Sequence, residues 1–120
     1  MANGSEWNVK SALDNSQDTS ASKYTDTSTS ASFTIPRNAS NIYFLDVFVR
    51  FPDHMYVGTI MINNTSDNIA HIVGQGEGGH TVTGVSYAAD TNTLTISLSH
   101  AYAVVCLRQS VGPKVTITAL

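Results

Sequence analysis

The residues best placed to do chemistry lie in HIVGQGEGGHTVTG, positions 71–84. Gly74, Gly76 and Gly79 spell G-x-G-x-x-G after an apolar run, the spacing of the dinucleotide-binding fingerprint. That fingerprint works when the glycine turn opens a helix whose N-terminus faces the pyrophosphate, with an acid about 20 residues on. Here His80 opens HTVTGVSY, which is β-branched and alternating, and the nearest later acid, Asp90, comes too early. No Gly-Lys-Ser/Thr of a P-loop occurs. GQGEGG therefore reads as a flexible connection between two strands, and no cofactor is expected.

The four histidines are His54, His71, His80 and His100. A zinc site needs three or four converging ligands. The chain has no cysteine cluster, no H-E-x-x-H and no His-x-His, so no metal is expected. His71 and His80 flank the glycine stretch and would approach one another if their strands paired. A serine hydrolase lacks its G-x-S-x-G turn, and Ser99 and His100, as strand neighbours, would point to opposite sides. Sugar hydrolysis would need two of Asp46, Asp53, Asp67, Glu77 and Asp90 to converge, and only Asp46 falls within a strand. The expectation is a protein that is not an enzyme.

Binding is the remaining chemistry. A tyrosine ring suits the apolar face of a sugar, which points to Tyr56, Tyr87 and Tyr102, each of which could equally be a core or interface tyrosine with its hydroxyl at the surface. Exposed loops on a rigid scaffold carry recognition, which points to the glycine stretch and to NNTSDN. The candidate ligand-binding residues are Gln75, Glu77, His80, Tyr56, Tyr87, Asn63 and Asn64. Asn38, Asn63 and Asn64 also open N-x-S/T sequons, which matter only in a secretory pathway.

The elements that must position these residues are strands. The 120 residues favour one domain, and 42% apolar with 12% charged residues favours a folded one. A net charge of -3 with six basic residues makes no basic stripe, so nucleic acid is not expected. No apolar run approaches the roughly 20 residues of a membrane helix. MANGSEWNVK lacks the charged and apolar regions of a signal peptide. Cys106, the one cysteine, cannot pair within the chain and in AYAVVCL reads as a buried small hydrophobe.

Residues 1–30 read as a polar, partly irregular N-terminal segment, with a long loop or partly ordered stretch over 14–32 and a short apolar patch at Trp7, Val9, Ala12 and Leu13. From residue 31 the period is two. ASFTIP places Phe33 and Ile35 on one face. NIYFLDVFVRF is apolar on both. Tyr43, Leu45, Val47, Val49 and Phe51 share one face, and Ile42, Phe44 and Phe48 share the other with Asp46 and Arg50. This predicts a central strand covered on both sides for part of its length, with Asp46 and Arg50 near its solvated end. MYVGTIMI, IAHIV, HTVTGVSY with a bulge or close approach at Gly84, TLTISL, AYAVVCLR and KVTIT follow. About eight short strands between turn signals predict an all-β fold over 31–120, an antiparallel β-sandwich or jelly roll.

The order of Trp7, SFTIP, NIYFLDVFVRF, MYVGTIMI, NTLTISL and KVTIT resembles β-sandwich modules of bacteriophage tail fibres, baseplates and receptor-binding proteins. The resemblance is one of strand types. It implies a structural or adhesion role at a virion tail or outside the cell, a homotrimer, and as partner a host-surface polysaccharide or a neighbouring virion protein. It identifies no binding residue. The alternative expectation is a carbohydrate-binding module of a secreted enzyme or adhesin.

Overall fold

The computed structural model describes residues 19–36, 42–63, 69–112 and 114–120. Trp7, Val9, Ala12, Leu13, Asn38, Asn64 and Asp67 lie outside them. The described residues form nine strands: β1 Ser20–Tyr24, β2 Ser30–Thr34, β3 Ile42–Arg50, β4 Met55–Asn63, β5 Ile69–Gly76, β6 Val82–Ala88, β7 Thr93–Leu98, β8 Val104–Val111 and β9 Thr118–Ala119. They make two antiparallel sheets, ordered β1-β8-β3-β4-β5 and β6-β7-β2-β9. The fold is an all-β sandwich, as the alternation predicts.

The core is the sum of the inward rows. Tyr43, Leu45, Val47 and Val49 of β3 are buried with Ile60, Ile62 and Leu107 from neighbouring strands of their sheet. Phe33, Leu94, Ile96 and Leu98 face them from the other sheet. Each such side chain contributes about 1.5–3 kcal/mol on burial. Val115 and Ile117 are buried too, although the regular strand there is confined to Thr118–Ala119.

Three departures from the sequence reading have physical causes. β1 falls within the polar 14–32 stretch, read there as a loop. SASKY carries no apolar alternation, and the strand exists because β8 offers a ladder from Arg108 to Val104. The second face of β3 is not covered: Phe48 is 55% and Ile42 50% exposed. Cys106 sits on that same face and is exposed, not buried.

The glycine stretch is only partly a connection. β5 runs through Gly74 to Gly76, paired with Gly58 and Tyr56 of β4. A Cβ on Gly74 would strike the Tyr56 hydroxyl and the Val57 carbonyl, and one on Gly76 would strike the His80 carbonyl. The two glycines thus leave room for the Tyr56 ring to lie inward across the strand pair. The turn proper is Glu77 to His80. Gly78 and Gly79 have φ of 55° and 76°, and the His80 N–H donates to the Glu77 carbonyl at 2.8 Å, the pattern of a type I′ turn.

Gly84 does mark a bulge, where the β6–β7 register shifts between Val82 and Gly84. A Cβ there meets nothing within 4 Å. Gly74→Ala is therefore expected to lower unfolding free energy by about 1–3 kcal/mol through overpacking. Gly84→Ala should change it far less, and urea denaturation of both variants measures the contrast.

Candidate functional site

Period-two geometry gives each sheet an outer face, and the two outer faces differ in chemistry. The four-stranded sheet turns out Ser30, Ser32, Thr34, Thr93, Thr95 and Ser97, an ordinary solvated surface. Ser32 and Thr95 face one another with hydroxyls 3.4 Å apart. The five-stranded sheet turns out Ile42, Phe44 and Phe48 of β3, Met55 and Val57 of β4, and Val73 of β5. Exposure runs from 36% at Phe44 to 66% at Val73.

The charges on this face are few. Arg108 reaches Asp46 at 3.4 Å, so Asp46 pairs across the sheet and not with Arg50 on its own strand. Phe48, Cys106 and the small Ser20 and Ser22 of edge strand β1 border a shallow depression beside that pair.

Antiparallel order brings four connections to one end: Thr25–Thr29, Phe51–His54, Glu77–Thr81 and Ser99–Ala103. Thr25 is buried and clamps two of them. Its N–H donates to the Ala103 carbonyl at 2.8 Å, and its Oγ1 accepts from the Ala103 N–H at 3.0 Å. The Tyr102 N–H donates to the Asp26 carbonyl at 2.7 Å, holding Tyr102 at φ 58°, a left-handed conformation unusual for an aromatic residue. Tyr102 and Tyr24, both more than half exposed, border a groove with Arg50, Pro52 and Val104.

Three of the four histidines meet at this end. His54 and His80 stack with ring centroids 4.0 Å apart, and His80 and His100 at 3.9 Å. Phe51 presents an edge contact to His80 at 5.0 Å. The His54 Nδ1–H donates to Asp53 Oδ1 at 2.7 Å, and His80 Nε2 lies 3.9 Å from the same oxygen. The His54 hydrogen bond, with the two imidazole charges behind it, holds the exposed Asp53 carboxyl below its ordinary value. Asp53, His54 and His80 bring one donor atom each within 4.8 Å of one another. These are the residues that could hold a metal ion. Gly78 belongs to the arrangement, because a Cβ there would come 2.6 Å from His54 Nε2.

The candidates named from sequence fall in several places. His80 is in the stack, but beside His54 and His100 and not beside His71, which pairs with Met61 on the apolar face. Glu77 is structural at one oxygen, which accepts the Met55 N–H at 3.0 Å. Gln75 faces out on edge strand β5 opposite Val57, and Asn63 ends β4. Tyr56 and Tyr87 are not exposed platforms. Tyr56 is buried over the glycines, which pushes its hydroxyl up, and the Tyr87 hydroxyl donates to the Ile35 carbonyl at 2.7 Å. Their alternation placed both on inward rows, which a tally of tyrosines cannot show.

Ser99 and His100 do not diverge. They lie in a bend, with Ser99 Oγ 2.8 Å from His100 Nδ1. Serine and carboxylate engage different imidazoles, so Ser99, His100 and Asp53 form no Ser-His-Asp relay. Asp46 stands on the apolar face, away from the histidines. Sequence reasoning missed the joint placing of Asp53 and His54 with His80 and His100. Their one sequence signal is that each sits in an odd-to-even connection, and all such connections gather at one end.

Compared with protein-family models, with curated proteins and with solved structures, the chain matches none.

Thr25→Val should cost about 1–3 kcal/mol, because it leaves the buried Ala103 N–H without its acceptor. Equilibrium denaturation checks this. Asp53 should titrate below an ordinary aspartate, so the Asp53–His54 contact is present above the ordinary carboxylate range and lost as pH falls through the lowered value. Carboxyl-detected NMR should show His54→Gln moving that midpoint upward.

Proposed function

We propose that the chain is a non-enzymatic assembly and attachment module of the kind carried on phage tails. In this reading it associates with copies of itself through the outer face of the five-stranded sheet and leaves its loop end free for recognition. The observation that supports the reading is the contrast between the two outer faces. One is a Ser/Thr surface suited to water, and the other exposes Phe48, Val57 and Val73 in one patch. The patch has few charges to desolvate: the Asp46–Arg108 pair, and Arg50 at its end beside Met55. A homotrimer is the proposed state, and a virion tail or extracellular surface the proposed location.

A second reading, a monomeric carbohydrate-binding module, draws on the exposed Tyr24 and Tyr102 beside Arg50. Two rings and a guanidinium suit a sugar's apolar face and its hydroxyls. The same groove serves the attachment half of the first reading, with a host-surface polysaccharide as ligand.

Light scattering on the purified chain separates the two. A trimer at tens of micromolar, converted to monomer by Phe48→Ser with Val57→Thr, is the expected result. A wild-type monomer would sink the assembly reading. On a glycan array, Tyr102→Ala should abolish whatever signal the wild type gives, and a silent wild type removes the attachment half.

A further inference from the structure

The chain has four histidines, and three of them arrive from separate connections at one spot beside a carboxylate. The Gly78 carbonyl can only accept, so His80 Nδ1, 3.1 Å away, carries a proton. His80 Nε2 is then the ring atom left for a second cation, a proton or a metal ion, and it stands 3.9 Å from the Asp53 carboxylate oxygen.

We propose that Asp53, His54 and His80 bind a divalent transition-metal ion of the zinc class. The metal bridges Asp53 Oδ1, His80 Nε2 and His54 Nδ1, with solvent completing a tetrahedron. Metal bonds of 2.0–2.1 Å set neighbouring ligand atoms ~3.3 Å apart. The present separations from Asp53 Oδ1, 2.7 Å to His54 and 3.9 Å to His80, lie on either side of that spacing. Two imidazoles and one carboxylate favour a borderline ion over calcium or magnesium, which prefer all-oxygen sites. The His80 Nδ1–H donated to a backbone carbonyl is the support that metal-bound histidines commonly have, since it fixes ring and tautomer.

Binding exchanges one species for another. The ion replaces the Nδ1 proton of His54, which leaves to solvent. The His54 and His80 rings are near parallel, at 13°, so their lone pairs do not yet converge. His54 must turn about its Cβ–Cγ bond, and the loaded site and the His54–His80 stack exclude one another. The loaded ion ties the β3–β4 turn to the residue that closes the β5–β6 turn. None of this depends on the proposed self-association, whose surface adjoins this site only at Met55.

The test uses the full chain without a histidine tag, carrying Cys106→Ser to remove the exposed thiol and stripped with chelator. Calorimetric titration with zinc chloride should give one site per chain at micromolar affinity. The heat should vary with the ionisation enthalpy of the buffer, as proton release requires. His80→Gln and Asp53→Asn should each weaken binding at least tenfold, and His71→Gln should leave it unchanged. In case a variant fails to fold, histidine-edited NMR of the wild type should show zinc moving the ring signals of His54 and His80 but not of His71. Binding no tighter than millimolar, loss with His71→Gln equal to loss with His80→Gln, or zinc shifts confined to His71 would each overturn the assignment.

Discussion

The packing of Tyr43, Leu45, Val47 and Val49 against Phe33, Leu94 and Ile96 holds the two sheets together, and much of the rest follows from it. A strand has only two faces. Once β3 commits its odd-numbered row to the core, Ile42, Phe44 and Phe48 must stand outside with Asp46 and Arg50. The ladders to β4 and β8 pass the same commitment on, so Val57 and Cys106 stand outside beside Phe48. The apolar outer face is thus a direct consequence of the core register. A one-residue slip would bury that row and expose Tyr43 and Leu45.

The same core places the histidines. Antiparallel strands of even alternation return every second connection to one end, and tight turns keep those connections short. Gly78 and Gly79 supply the left-handed residues of the β5–β6 turn, and Gly78 leaves space for the His54 ring above it. The Thr25–Ala103 clamp holds the β1–β2 turn against the segment that carries His100. A stack of three imidazoles from three turns requires all of these at once. It is a property of the loop end as a whole and not of any single turn.

The strands with clean alternation were legible residue by residue. TLTISL buries Leu94, Ile96 and Leu98, ASFTIP buries Phe33 and Ile35, and the bulge at Gly84 lies where an isolated strand glycine suggests one. β1 was not legible, because SASKY has no apolar row and owes its strand to a partner 80 residues away in the chain. The glycine stretch was legible as non-helical, but its first half proved to be strand. The reason is Tyr56, whose inward ring needs Gly74 and Gly76 beneath it, and no local pattern around the glycines announces that ring. Cys106 was misjudged for a similar reason. AYAVVCL is apolar throughout, and only the ladder to Phe48 shows which of its residues face out.

By itself the sequence determined the class of fold and the inward rows, because alternation of apolar residues is a local property with a local energetic meaning. It also indicated that the glycine stretch leads into a strand and not a helix, since HTVTGVSY is β-branched and alternating, and β6 follows there. Only the tertiary structure decided which second faces remain open, which tyrosines are buried, and which histidines meet. Those depend on the order of strands in the two sheets and on the side chains across each ladder. That order is set by contacts between residues far apart in the chain, and no spacing within one segment encodes it.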